Sequence, residues 1–308
     1  MFFGRRLTTG CRIRKWRKRC VQGIREGDEL NIVVLTNDNF FSFTVLKEFL
    51  ELRKEEIKLI VFSSALIGKR GAVASVIWSI RRTGFRHTVF KLLVYGVFGM
   101  MKVLCRLLPF IANEYSSCLW AERKGLASIE APDVNNPKVV EQVRLANPDL
   151  IVSVSMNQIV RSELLKMPAK GCINVHCAPL PRYGGMSPYV WVLANNEDHS
   201  AATVHYMEEG LDEGDVVLQE KESVLKRDSA FCLFYRCCLR ARQLLTKAVD
   251  GIEAGTATRH AQDLSRKTYF SWPTPDCVRA LRRHGYSLAT FTDFAKAILR
   301  RQPRLKAG

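Results

Sequence analysis

Three apolar runs of strand length, separated by polar turns and helical patterns, constrain this 308-residue chain more than any other feature. They cover residues 30–35, 57–62 and 148–155, each rich in Ile, Val and Leu. A polar turn at 36–39 and a helical run over 43–54 follow the first, and a helical pattern over 137–146 precedes the third. Strands that are apolar throughout, rather than alternating, suit burial on both faces. The pattern therefore predicts an α/β chain: a mostly parallel sheet with helices on both faces. Ligands of such sheets bind beyond the carboxyl ends of the strands. With 47% hydrophobic residues the chain can bury a full core.

Residues 172–175 predict a further short buried strand, which Pro179, Pro181 and the pair Gly184, Gly185 stop abruptly. His176 is thus left at a strand end. Side chains two apart on a strand share a face, so Asn174 and His176 project together. A run over 202–207 alternates like a strand and breaks at Glu208, Glu209 and Gly210. It delivers Asp212 on a loop before strand character resumes at 216–218. A neutral imidazole accepts a proton near pH 7, a carboxylate orients it, and a carboxamide donates to a developing oxyanion, so the three together suit acyl transfer. Spacing alone leaves a second reading open, in which His176 is a satisfied polar group and Asp212 a turn residue.

The segment Asn174, Val175, His176 with Leu180, Pro181, Arg182, the following Gly184 and Gly185, and Ser187 with Pro188 resembles the signature of the folate-dependent formyltransferase family. The downstream run from Gly210 through Leu211, Asp212 and Glu213 to Gly214 adds a second motif in the same order. The likeness covers roughly residues 31–224 and is strongest over 148–219. It implies a Rossmann-like sheet and transfer of a formyl group from 10-formyltetrahydrofolate to a primary amine. By position, Asn174 resembles the family's oxyanion-binding Asn, His176 its catalytic His and Asp212 its catalytic Asp. The family's folate pocket corresponds to Met156, Asn157, Gln158 and Ile159, together with Glu209, Gly210 and Leu211 beside Asp212. Tyr183, Met186 and Tyr189 follow the catalytic strand, where they either meet the acceptor or pack. One departure stands out: many relatives carry a serine where this chain has Ala178, so any role of that hydroxyl is absent. Cys177 adjoins His176, but neighbours on a strand face opposite ways, which argues against a Cys/His pair.

Ten cysteines without a Cys-x-x-Cys pair and no recognisable signal peptide suggest a reduced, cytoplasmic setting. The six histidines are scattered without metal-ligand spacing, so no metal is expected. Net charge is +17, and the first 25 residues hold nine basic residues and no acidic one. Such an arm, over 1–29, suits an RNA or an anionic membrane surface, the latter placing the protein at the inner face of a membrane; a solvated tail is the alternative.

Domain boundaries follow: a basic arm over 1–29, a catalytic domain over 30–225 with a helical insert at about 65–125, and a helical C-terminal extension over 226–308. Within the insert, residues 92–101 are wholly apolar, short of the roughly 20 needed to span a bilayer. An interfacial helix or a helix packed on the domain fits better. Helical patterns over 230–252 and 275–283, with an extended piece at 267–273, argue against the β-barrel tail of methionyl-tRNA formyltransferase. The favoured acceptor is a small, phosphate-bearing amine such as an amino sugar. Methionyl-tRNA, hydrolysis of the donor, and a formyltransferase-like scaffold on a membrane or polyanion are the alternatives. Sequence leaves the oligomeric state open.

Overall fold

A computed structural model of the chain describes residues 30–63, 72–108 and 115–299. The basic arm, parts of the insert and residues 300–308 lie outside the described residues. β1 (Ile32–Asn37) leads through Asn39, whose side chain caps the backbone of Ser42, into α1 (Phe40–Leu52), and β2 (Ile57–Ser63) follows. The insert supplies α2 (Ala72–Thr83), α3 (Phe85–Leu107) and α4 (Ser117–Lys124). Next come β3 (Ser128–Ala131), α5 (Pro137–Leu145), β4 (Leu150–Val154), α6 (Ser162–Leu165) and β5 (Cys172–His176). The chain continues as β6 (Gly184–Gly185), α7 (Pro188–Ala194), β7 (His199–Tyr206), β8 (Val216–Ser223) and α8 (Ala230–Glu253). β9 (Tyr269–Phe270), α9 (Pro275–Arg283) and α10 (Phe291–Ile298) complete the described elements.

Seven strands form one sheet in the order β3-β2-β1-β4-β5-β7-β8. The strands from β3 to β5 run parallel, as the apolar runs predict, while β7 and β8 join antiparallel. β3 was not foreseen, because residues 128–131 are half polar and only Ala131 is buried. A two-stranded ribbon pairs β6 with β9.

The faces of the sheet differ. On one, Ile32, Val34, Ile173, Val175, Ala202 and Val204 pack with α1 and α8 in a large core. On the other, Val33, Leu35, Val61, Ile151 and Cys172 pack with α5 and α6. That second apolar row stops at Cys172, and the same face continues along β5 and β7 with Asn174, His176, Thr203 and His205. The sheet thus changes from apolar to polar over two strands, and there the site forms.

Ser229 caps α8 by accepting from the Cys232 backbone. The buried Arg236 guanidinium fixes this end of α8 to β8: Nε donates to Glu222 at 2.9 Å and Nη2 to Asp228 at 2.6 Å. Burying such a charge is tolerable only with every donor answered, and losing one partner typically costs about 3–5 kcal/mol.

α3 is 23 residues long with a mean hydropathy of 1.6 in its most apolar window, so by length and composition it could cross a membrane. The apolar run at 92–101 thus understated the helix. Its inner face is committed to the core: the Phe98 ring stacks on Phe40 at 3.9 Å between centroids, and Lys102 pairs with Asp38.

Candidate active site

Antiparallel pairing sets Asn174 opposite His205 and His176 opposite Thr203. Asn174 Nδ2 lies 3.2 Å from His205 Nε2, and His205 Nδ1 lies 2.7 Å from the Tyr206 carbonyl oxygen. A carbonyl only accepts, so the Nδ1 of His205 carries the proton and its Nε2 accepts from the Asn174 amide. The same logic applies to His176, whose Nε2 donates to the Tyr183 carbonyl at 3.0 Å and whose Nδ1 is left facing Asp212. Burial pushes the His205 pKa down to about 4, with the charge of His176 adding to the effect and Asp212 opposing it. His205 is therefore a neutral acceptor that orients Asn174.

Asp212 Oδ1 stands 3.9 Å from His176 Nδ1 and 3.7 Å from His205 Nε2, beyond direct hydrogen-bond reach of both. Burial by itself would raise this carboxyl; the charges of His176 and His205, the Gly185 N–H and Lys267 outweigh it and hold the group below its usual value. His205 Nε2 already accepts from Asn174, so a carboxylate oxygen and one imidazole nitrogen, Asp212 Oδ1 and His176 Nδ1, face each other with no hydrogen between them. A group bearing two N–H or O–H donors, such as an amine or a water, satisfies both.

The loop carrying Asp212 is tightly held. Its other oxygen accepts from the Gly185 N–H at 2.8 Å, and Asp212 itself adopts a left-handed φ of 56°. Such a conformation is uncommon for a side-chain-bearing residue, and the surroundings must enforce it. Gln262 does so by donating to the carbonyls of Asp212 and Gly214 at 3.0 and 2.6 Å. A Cβ on Gly214 would lie 2.2 Å from the Tyr206 carbonyl oxygen, so only glycine fits. Thr268 binds the neighbouring loop, accepting from Tyr183 N–H at its hydroxyl and from Gly184 N–H at its carbonyl.

The three residues foreseen as catalytic are therefore brought together. His205 and Gln262 were missed. Alternation over 202–207 carried a signal for His205, since it shares a face with Thr203; nothing local marks Gln262, which acts across fifty residues. Of the stretches expected to line a folate pocket, Asn157 accepts from the Ser63 hydroxyl at 3.2 Å. Gln158 spends its side chain on the loop after β3, accepting from Val134 N–H and donating to the Pro132 carbonyl. Met156 packs at the edge of the second core, whereas Ile159 and Leu211 are exposed and Glu209 lies 3.9 Å from Lys166. Gly210 lies between Glu209 and Leu211 in the turn. Tyr183 and Tyr189 pack instead of facing the site: Tyr183 stacks on Phe270 and donates to Glu197, and Tyr189 stacks on Phe234. Cys177 turns to the opposite face and joins the core with Cys237 and Cys238. Among the described residues no group of His, Cys, Asp or Glu has metal-ligand geometry.

Comparison with known proteins finds likenesses to the segment that carries Asn174, His176 and Asp212 and to the fold around it. Residues 111–249, a little under half of the chain, match the family model described as formyl transferase. Methionyl-tRNA formyltransferase of Geobacter metallireducens is 38% identical over 143 residues, 46% of this chain and 46% of the relative. The chain spans about half the length of the curated relatives it matches. Glycinamide ribonucleotide transformylase 1 from Symbiobacterium toebii shares the fold with a TM-score of 0.53, at 17% identity over 77% of this chain and 96% of that one. The N-formyltransferase from Helicobacter canadensis, solved with folinic acid and dTDP-3-aminofucose, has a TM-score of 0.52 at 16% identity over 83% and 80% of the two chains.

Proposed function

We propose that this protein transfers the formyl group of 10-formyltetrahydrofolate to a primary amine on a small acceptor, an amino sugar bearing phosphate being the favoured class. The observation that carries the reading is that Asp212 Oδ1 and His176 Nδ1 face each other at 3.9 Å without a hydrogen between them, beside the Asn174 amide that His205 Nε2 orients. An attacking amine supplies those hydrogens. Its nitrogen adds to the formyl carbon, the carbonyl oxygen takes up negative charge, and Asn174 donates to that oxygen. His176 Nδ1 accepts the proton released by the new C–N bond, Asp212 stabilises the imidazolium, and the proton passes to N10 of the folate as the C–N10 bond breaks. Products are the formamide and tetrahydrofolate, so atoms and charge balance without a covalent enzyme intermediate.

Methionyl-tRNA is the second reading, favoured by the 38% identity over 143 residues to the methionyl-tRNA formyltransferase of Geobacter metallireducens. Against it, the described residues after α8 comprise helices and the two-residue β9, with no succession of strands. The high positive charge suits phosphates in either acceptor. Purified protein given 10-formyltetrahydrofolate and a panel of nucleotide-linked amino sugars should release tetrahydrofolate with at least one of them and not with methionyl-tRNA. Turnover with the tRNA alone would reverse the choice of acceptor, and no turnover with any amine would remove the transferase reading.

A further inference from the structure

Between Glu56 and Glu114 the chain has no acidic residue, and this stretch builds α2 and α3. α3 has two apolar faces. One, with Phe90, Val94, Phe98 and Cys105, is buried in the core. Half a turn away, Phe85, Leu92, Met100, Val103 and Leu107 are 68, 49, 58, 54 and 70% exposed. Gly96 and Gly99 lie on the same outer stripe, and a Cβ at either would meet nothing within 4 Å. On α2, which packs against α3 and joins it through Gly84, Val73, Ile77 and Ile80 are 74, 46 and 39% exposed. Exposed Arg81, Arg82 and Arg86 cluster at the turn between the helices, and exposed Arg106, 3.9 Å from Glu122, stands at the far end of α3.

We propose that this outward face of α2 and α3 docks on an anionic lipid bilayer, with α3 lying in the plane of the surface. Apolar side chains along a helix with guanidinium groups at its ends match the boundary between acyl chains and anionic headgroups. Spanning is excluded by the inner face: Phe98 would leave its stack with Phe40, and Lys102 its pair with Asp38. A second copy fits poorly, because a two-fold contact through this face sets arginines against arginines with no acid on either stretch. The same helices reach the catalytic loops. Trp78 meets Trp272 edge-on and Lys91 sits 3.7 Å over its ring, two residues from the β9 strand that pairs with Gly185, the donor to Asp212.

The test is sedimentation of the full chain with phosphatidylcholine vesicles made with and without phosphatidylglycerol, at low and raised salt. The full chain should pellet with the anionic vesicles only, and Leu92→Glu with Val103→Glu should lower the bound fraction about tenfold. Thermal melts verify that the double variant is folded, and Leu92→Glu alone serves if it is not. Failure of the unsubstituted chain to bind phosphatidylglycerol vesicles overturns the proposal. So does binding unchanged by a folded variant, or a self-association that the same substitutions abolish in place of vesicle binding. None of these readouts uses transferase activity, so the outcome is independent of the reaction proposed above.

Discussion

The polar face of β5 and β7 and the outer face of α3 break the ordinary distribution of residues in opposite directions. Around Asp212, two histidines are taken out of water and a carboxylate is partly so, each held by main-chain partners. On α3, leucine, methionine and valine are exposed, with nothing over them among the described residues. A buried polar group and a contiguous exposed apolar stripe are the two departures that carry functional information, because each has a cost that packing alone does not explain. The first points inward to a reacting group. The second points outward to a surface.

The largest expected effect breaks the inward half of this contrast. His176→Ala removes the base and leaves the fold, so the rate of tetrahydrofolate release should fall roughly a hundredfold to ten-thousandfold while the melting temperature stays near that of the parent. A variant that turns over at the parent rate would make the buried cluster a structural network only. Within α3, Phe98→Ala tests the core-facing side: it deletes a ring stacked on Phe40 and should cost about 3–5 kcal/mol in denaturant unfolding.

Acid should also strain the inward half. His205 is held down to about 4 by burial, against about 6.5 in an unfolded chain. Between those values the unfolded state binds more protons, so stability is full above pH 6.5 and falls as pH drops toward 4. The contribution is on the order of 3 kcal/mol, and His87, pushed down to about 3 by burial, acts in the same direction. His205→Gln should flatten part of this loss in urea titrations across that window. An unchanged pH profile would mean that His205 is not the neutral acceptor its hydrogen bonds require.

Much of this was legible in the sequence, and what was not has physical causes. Apolar runs gave β1, β2 and β4 because strands buried on both faces leave no ambiguity of period. Asn174 and His176 declared a shared face by their spacing, and resemblance supplied their roles. The antiparallel β7 and β8 were readable as strands but not in orientation, which depends on the length and path of their connections. Gln262 and Thr268 escaped because a segment without periodicity acts on loops distant in sequence. The double-faced character of α3 was hidden for a different reason: residues apolar on every side give no period, so only packing reveals which side the core takes.

That last point yields the smallest prediction. If the outer stripe of α3 contacts only solvent within the folded chain, Leu92→Glu exchanges one exposed side chain for another. Its effect on unfolding free energy should stay within about 0.5 kcal/mol, against the several expected for Phe98→Ala six residues away on the same helix. Neither substitution alters helix propensity enough to account for such a gap, so the difference reports burial directly. A loss for Leu92→Glu comparable to that of Phe98→Ala would mean that the stripe is already covered in the free protein, and the contrast between an inward site and an outward surface would collapse into a single core.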